Sequence, residues 1–210
     1  MVRKITEPIP PEILQADLEM FRQKALDLGA ADAKIINSDQ VIIDERVRAK
    51  CMNPKCEYYD TNGNCPPHTP DLDLVRKIVH KFHYGIFIIT KYPREILKEK
   101  KDRSLSTKDR LTNHKIVAKI ESQAFHSGYY LALGFGDGPC KSRYCPDKEC
   151  SVLTGKGCRT SLRARSSMES WGMDVYLMAT RAGWDIYPVG VTTRAEDVPY
   201  EAALGLVLIY

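Results

Sequence analysis

The chain has 210 residues, 43% of them hydrophobic and 28% charged, which is enough to bury a core without a metal to replace one. Its formal charge of +4 is uneven: Lys91 to Lys119 holds ten basic side chains against four acidic ones, and the remainder is slightly acidic. This balance argues against nucleic acid as the main partner, and the longest strongly apolar run, Ala203 to Tyr210, is far short of the ~20 residues of a membrane span.

Met1 to Pro10 has early positive charges but no apolar stretch after them, so no secretory signal is expected and the reading is cytoplasmic. Pro11 to Ala30 reads as an amphipathic helix, because Leu14, Leu18, Phe21, Ala25 and Leu28 recur at steps of three and four. Gly29 lies near its end. Two β-prone runs follow, Ala33–Asn37 and Val41–Val47. Cys51 to Pro70 is polar and Pro-rich, which predicts a loop. A helix start comes next: Thr69 is placed to cap, Pro70 suits the first helical position, and Asp71 and Asp73 complement the dipole. Val75, Ile78, Val79 and Phe82 give that helix its apolar face, and Tyr84 to Thr90 is a compact apolar strand.

Lys91 to Thr107 reads as a charged connection, helical in part. Asn113 to Ser127 returns to helical spacing through Ile116, Ile120 and Ala124, and Gly128 breaks it. Tyr129 to Phe135 reads as a strand stopped by Gly134, Gly136 and Gly138. Cys140 to Cys158 is irregular, Ser167 to Ala182 is a helix interrupted near Gly172, and Asp185–Val189 and Leu204–Tyr210 close as strands. The expectation is one domain, residues 1–210, of mixed α and β class: a single sheet flanked by helices, with two cysteine-rich metal-binding loops that meet at one sheet edge.

Seven cysteines in a reducing compartment point to metal binding or catalysis rather than to disulfides. Cys140, Cys145, Cys150 and Cys158 form C-x4-C-x4-C-x7-C, four thiolates within nineteen residues. Zinc sites use tight C-x2-4-C knuckles to aim two sulfurs at one ion, and C-x2-C is missing here. The wider spacing suits a [4Fe–4S] cluster, and Cys145-Pro146 has the cysteine–proline step of bacterial ferredoxins. Seven Lys or Arg against two acidic residues between Cys140 and Arg165 would offset the cluster's negative charge. Zinc is the alternative metal.

Cys51, Cys56 and Cys65 form C-x4-C-x8-C-P-P. Three ligands leave one corner open for substrate or solvent. His68, three residues on, could complete the set; a ligand could also be exchanged between segments, or some of these thiols could be free or form a small structural site. Arg159, Arg163 and Arg165 follow Cys158 and have the forks that recognise an anionic substrate, though charge compensation or salt bridging explains them as well. His80 and His83 lack a carboxylate partner motif and read as packing residues, as do His114 and His126. Gly134-Phe-Gly136-Asp-Gly138 lacks the pattern of a dinucleotide loop and reads as room for the backbone to turn.

Several of these residues carry a resemblance to a family. Leu28-Gly-Ala30, Lys50-Cys51, Cys65-Pro-Pro67, Gly138-Pro-Cys140, Cys158-Arg159 and the run from Ala164 to Val175 resemble the signatures of the domain of unknown function 2284 family over nearly the whole chain. Ser166 stands where proline is common in the last signature. The resemblance implies bound metal, iron–sulfur in type, in anaerobic bacteria and archaea, and it implies no established reaction.

Three functions compete. The first is a redox protein with one or two [4Fe–4S] clusters passing electrons to or from a partner protein. The second is an enzyme whose three-cysteine centre binds a small-molecule substrate. The third is a zinc-stabilised binding module using the basic stretch.

Overall fold

A computed structural model describes residues 2–101, 111–190 and 192–210. Four strands form one antiparallel sheet: β1 (Asp32–Asn37), β2 (Tyr84–Pro93), β3 (Leu133–Phe135) and β4 (Tyr200–Leu208), in the order β1-β2-β4-β3. Ile86, Phe87, Ile88 and Ile89 of β2 are all buried, because the strand is covered on both faces. Ile86 and Ile88 face α1 (Pro11–Asp27) and a helix at Leu111–His126, where Leu18, Phe21, Ile116 and Ile120 pack. Phe87 and Ile89 face the other way, against Val75, Met168, Met173 and Trp184.

Among the described residues there are six α-helices. Besides α1, they are α2 (Glu45–Met52), α3 (Leu72–Val79), α4 (Leu111–His126), α5 (Cys140–Tyr144) and α6 (Val175–Arg181). The mixed α and β class is as expected, with every pairing in the sheet antiparallel.

Four sequence expectations are corrected. Val41–Val47 is not a strand: Ile43 keeps a single bridge to Met173, and Asp44 then caps α2 by accepting the Arg46 N–H at 2.8 Å. The cap of α3 is Asp71, which accepts the Leu74 N–H at 2.8 Å, while the Thr69 hydroxyl donates to the Ser170 carbonyl at 2.9 Å. The strand expected over Tyr129–Phe135 shortens to Leu133–Phe135, because Tyr129 turns into the α1–α4 layer and donates its hydroxyl to Asp17 at 2.7 Å. Asp185–Val189 has no strand pairing; Pro188 lacks the N–H a ladder needs.

The charged connection after Thr90 begins as an extension of β2 to Pro93 and a 3₁₀ helix at Arg94–Lys101. The rest of it, and the centre of the basic stretch, lie outside the described residues. Among the described residues no helix is long and apolar enough to cross a membrane.

Candidate metal centre

All seven cysteines are free thiols. They are not confined to loops, as the sequence had led us to expect. Cys51 lies in the last turn of α2 and Cys140 opens α5. Cys56 follows in a turn, its N–H donating to the Cys51 carbonyl at 3.0 Å, and the Tyr58 N–H points at the Cys56 sulfur at 3.5 Å. Cys65 is buried, with its N–H on the Asn62 carbonyl at 3.3 Å.

The two cysteine segments are joined through the turn Asn62-Gly63-Asn64. Asn62 is 1% exposed. The Asn64 amide donates to Cys140 Sγ at 3.2 Å, and the Cys140 thiol donates to Asn62 Oδ1 at 3.7 Å. Lys141 Nζ reaches the Thr61 carbonyl at 3.3 Å, and the Ser166 hydroxyl donates to Asn64 Oδ1 at 3.2 Å. Gly63 lies so close to the second segment that a Cβ there would sit 2.6 Å from the Val152 side chain. Glycine is required at that contact by steric room.

Cys140, Cys145, Cys150 and Cys158 line one small cavity, whose wall also includes Asn62, Gly63, Asn64, Lys141, Val152 and Arg159. Among the described residues no three His, Cys, Asp or Glu side chains converge closely enough to hold a single ion.

Their environments differ in a way that follows from burial. Burial pushes the Cys140 thiol up to about 12 and the Cys65 thiol up to about 11. The cysteines raise one another too: Cys65, Cys150 and Cys158 act on Cys140, and Cys51, Cys56 and Cys150 act on Cys65. Burial also raises Cys51, against the pull of Arg48 one turn earlier in α2. Cys150 goes the other way: burial opposes ionisation, but the N–H groups of Gly63, Val152 and Leu153 and the charge of Lys141 bring its pKa below the usual thiol value. Arg48 is itself half-buried, donates to the Pro70 carbonyl at 3.0 Å, and has a buried Nε with no hydrogen-bond partner. An electropositive, N–H-rich lining of this kind fits thiolates bound to a metal.

Of the other residues singled out in the sequence, Arg159 joins the cysteine cavity, while His68, Arg163 and Arg165 lie elsewhere. His68 Nε2 lies 2.8 Å from the Asp60 carboxylate. Arg159 donates to the Glu149 carbonyl at 2.8 Å. Arg165 is bound to Glu121 and donates to the carbonyls of Ser161 and Ala164 at 2.8 Å each. Arg163 is exposed and borders clefts on the α4 side. The three arginines therefore do not form one anion clamp.

Sequence reasoning missed four participants. Asn62 and Asn64 flank a glycine between Cys56 and Cys65, and that Asn-Gly-Asn turn signal was available to find them. Arg48 gave no signal beyond its place one helical turn before Cys51. Glu169, whose carboxyl burial pushes up, lines a cavity of about 850 Å³ together with Glu57, Tyr58, Asp137, Arg143 and Asp147. That cavity borders the backs of the turns that carry Cys56, Cys140 and Cys145, and periodicity gave no hint of it.

A family model described as predicted metal-binding protein (DUF2284) matches residues 34–209, a range that holds all seven cysteines. The chain belongs to the DUF2284 family. No curated protein and no solved structure matches it. The DUF2284 match describes predicted metal binding for this chain, without naming the metal.

Proposed function

We propose that Cys140, Cys145, Cys150 and Cys158 hold a [4Fe–4S] cluster, that Cys51, Cys56 and Cys65 serve a second iron–sulfur centre, and that the protein moves electrons in anaerobic metabolism within a reducing cytoplasm. The observation that supports this reading is that all four cysteines line one small cavity. A cubane presents a separate iron to each thiolate, so it suits thiols that surround a space; a lone zinc ion needs them at one point. When bound, such a cluster supplies a one-electron couple.

The chain's own groups would tune that couple. The Asn64 amide at Cys140, the Tyr58 N–H at Cys56, and the N–H groups of Gly63, Val152 and Leu153 at Cys150 all donate toward sulfur. Donation to sulfur and the cations Lys141 and Arg48 favour the more negative, reduced state and raise the potential.

A second reading has its own observation. The cavity of about 850 Å³ has the volume of a small-molecule chamber and abuts the cysteine turns. An open three-cysteine centre beside it would make the protein an enzyme rather than a carrier.

The test is the content of iron, acid-labile sulfide and zinc per chain in protein purified without oxygen, with an absorption spectrum of the same sample. About eight irons and eight sulfides support two clusters, and about four support one. Zinc alone, from iron-replete anaerobic cells, overturns the redox reading in favour of a zinc-stabilised module. A spectral change on adding small thiols or cyanide to the iron-loaded protein favours the enzyme.

A further inference from the structure

α4 turns Ile116, Val117, Ile120 and Ala124 inward to the sheet. Its other side carries Lys115, Lys119, Ser122 and His126, spaced so that they share one face, with Phe125 beside them. This face covers nothing of the core. It instead forms one wall of a cleft of about 590 Å³, whose opposite wall is Leu162, Arg163 and Arg165 from the segment that leaves Cys158. A second cleft of about 540 Å³ shares Lys115, Lys119 and Arg163, so the two form one groove.

Two properties of the groove point to what fills it. The first is charge. Lys115, Lys119 and Arg163 are exposed cations with no carboxylate partner among the described residues; the lone acidic group in the first cleft, Glu121, is bound to Arg165. The second is apolar surface. Leu162 is 86% exposed and Phe125 57%, and both line the cleft. Leu131 is 67% exposed and stands next to Ala132, which also lines it. Large exposed apolar side chains inside a cationic rim are the composition of a protein-docking patch. The surface is concave, which a protein ridge fills and a flat bilayer does not.

We propose that this groove docks an acidic protein, and that the protein is a small one-electron carrier. The nature of the carrier rests on the redox reading above; the docking does not. Leu162 and Arg163 lie four and five residues beyond Cys158, so a carrier seated here rests on the segment that leads out of the thiol cavity. Charge complementarity of this kind steers encounter and gives the weak, fast, salt-sensitive complexes that electron transfer uses.

The experiment is a calorimetric titration of the anaerobically purified protein with FMN-loaded flavodoxin and, separately, with a plant-type ferredoxin, both acidic carriers. It is run at about 20 mM and about 200 mM salt, with iron and sulfide measured on every sample. Micromolar binding of at least one carrier is expected, weakened about tenfold or more by the higher salt. Lys119→Glu with Arg163→Glu should weaken it at least about tenfold at low salt, and Leu162→Ser about threefold at both salts. All three positions are exposed, so the variants should keep the parent's melting temperature and iron content. Failure of both carriers to bind at low salt overturns the proposal, as does binding indifferent to the charge reversals. Tighter binding of a short DNA duplex or of phosphatidylglycerol vesicles at the same salt overturns it too. Carrier binding by samples that hold no iron would support the docking surface while defeating the redox reading.

Discussion

The sheet and the cysteine lobe are built on opposite plans. The sheet is held by burial: β2 and β4 put Ile86 to Ile89 and Leu206 to Leu208 out of water between two layers of helix. The lobe has few such residues. It is tied by single polar contacts, Asn64 to Cys140, Lys141 to Thr61 and Ser166 to Asn64, around one close approach at Gly63. The lesson is a division of labour: buried apolar contacts build the core, while polar contacts hold the segments that carry the proposed metal ligands.

Predictions can break or sharpen that division. The largest effect belongs to the sheet. Phe87→Ala should cost about 3–5 kcal/mol, by chemical denaturation, and cost the same with and without bound metal. A cost that depended on metal would join the two regions and defeat the division. Next is the seam: Gly63→Ala puts a Cβ against Val152 and should cost about 1–3 kcal/mol, with metal content lowered more than sheet stability. Full metal content in this variant would show that the two segments need not touch.

The two regions should also fail at opposite ends of the pH scale. In metal-free protein, Cys140 and Cys65 are raised from the ordinary 9.0 to about 12 and about 11. Above pH 9.0 the unfolded chain loses protons that the folded one keeps. Stability is therefore intact below pH 9.0 and falls as pH rises toward about 11 and 12. The slope is at most about 1.4 kcal/mol per pH unit for each thiol. Cys140→Ser should flatten it, and bound metal should abolish it by holding the thiolates. His114, on α4, is buried with its ring against Gly136, and burial pushes its pKa down from 6.5. Below pH 6.5 the unfolded chain binds a proton the folded one refuses, so stability is present above 6.5 and declines on acidification. His114→Gln should reduce that acid slope; an unchanged slope would remove His114 from the account. The smallest effect should come from Arg159→Ala, which removes one cation from the wall of the cysteine cavity and its bond to the Glu149 carbonyl, and should cost less than about 1 kcal/mol by chemical denaturation.

What was legible in the sequence follows the same line. α1, α4 and β2 announce themselves because long apolar runs have a period, and burial enforces it. Val41–Val47 misled because its apolar residues pack as a turn into α2, a tertiary choice made by Asp44 and the bridge from Ile43 to Met173. The cysteine spacing named the candidate ligands but could not say that Asn64 would reach Cys140, since that contact joins residues 76 apart in the chain. His68 read as a ligand by its nearness to Cys65, and the three arginines as one anion site by their nearness to Cys158; Asp60 engages His68 and Glu121 engages Arg165 instead. The cavity beside Glu169 was invisible because its walls come from segments that share no local pattern.

The place of β4 in the sheet bears on how the protein is made. It joins β2 to β3, yet it follows both cysteine segments in the chain. A ribosome adding about 5–20 residues per second needs about 3–10 s to travel from Cys158 to the end of β4. For that time the nascent thiols have no completed sheet behind them and face whatever oxidant or stray metal is at hand. On the proposed reading, that is the interval in which the thiols must stay reduced until metal reaches them.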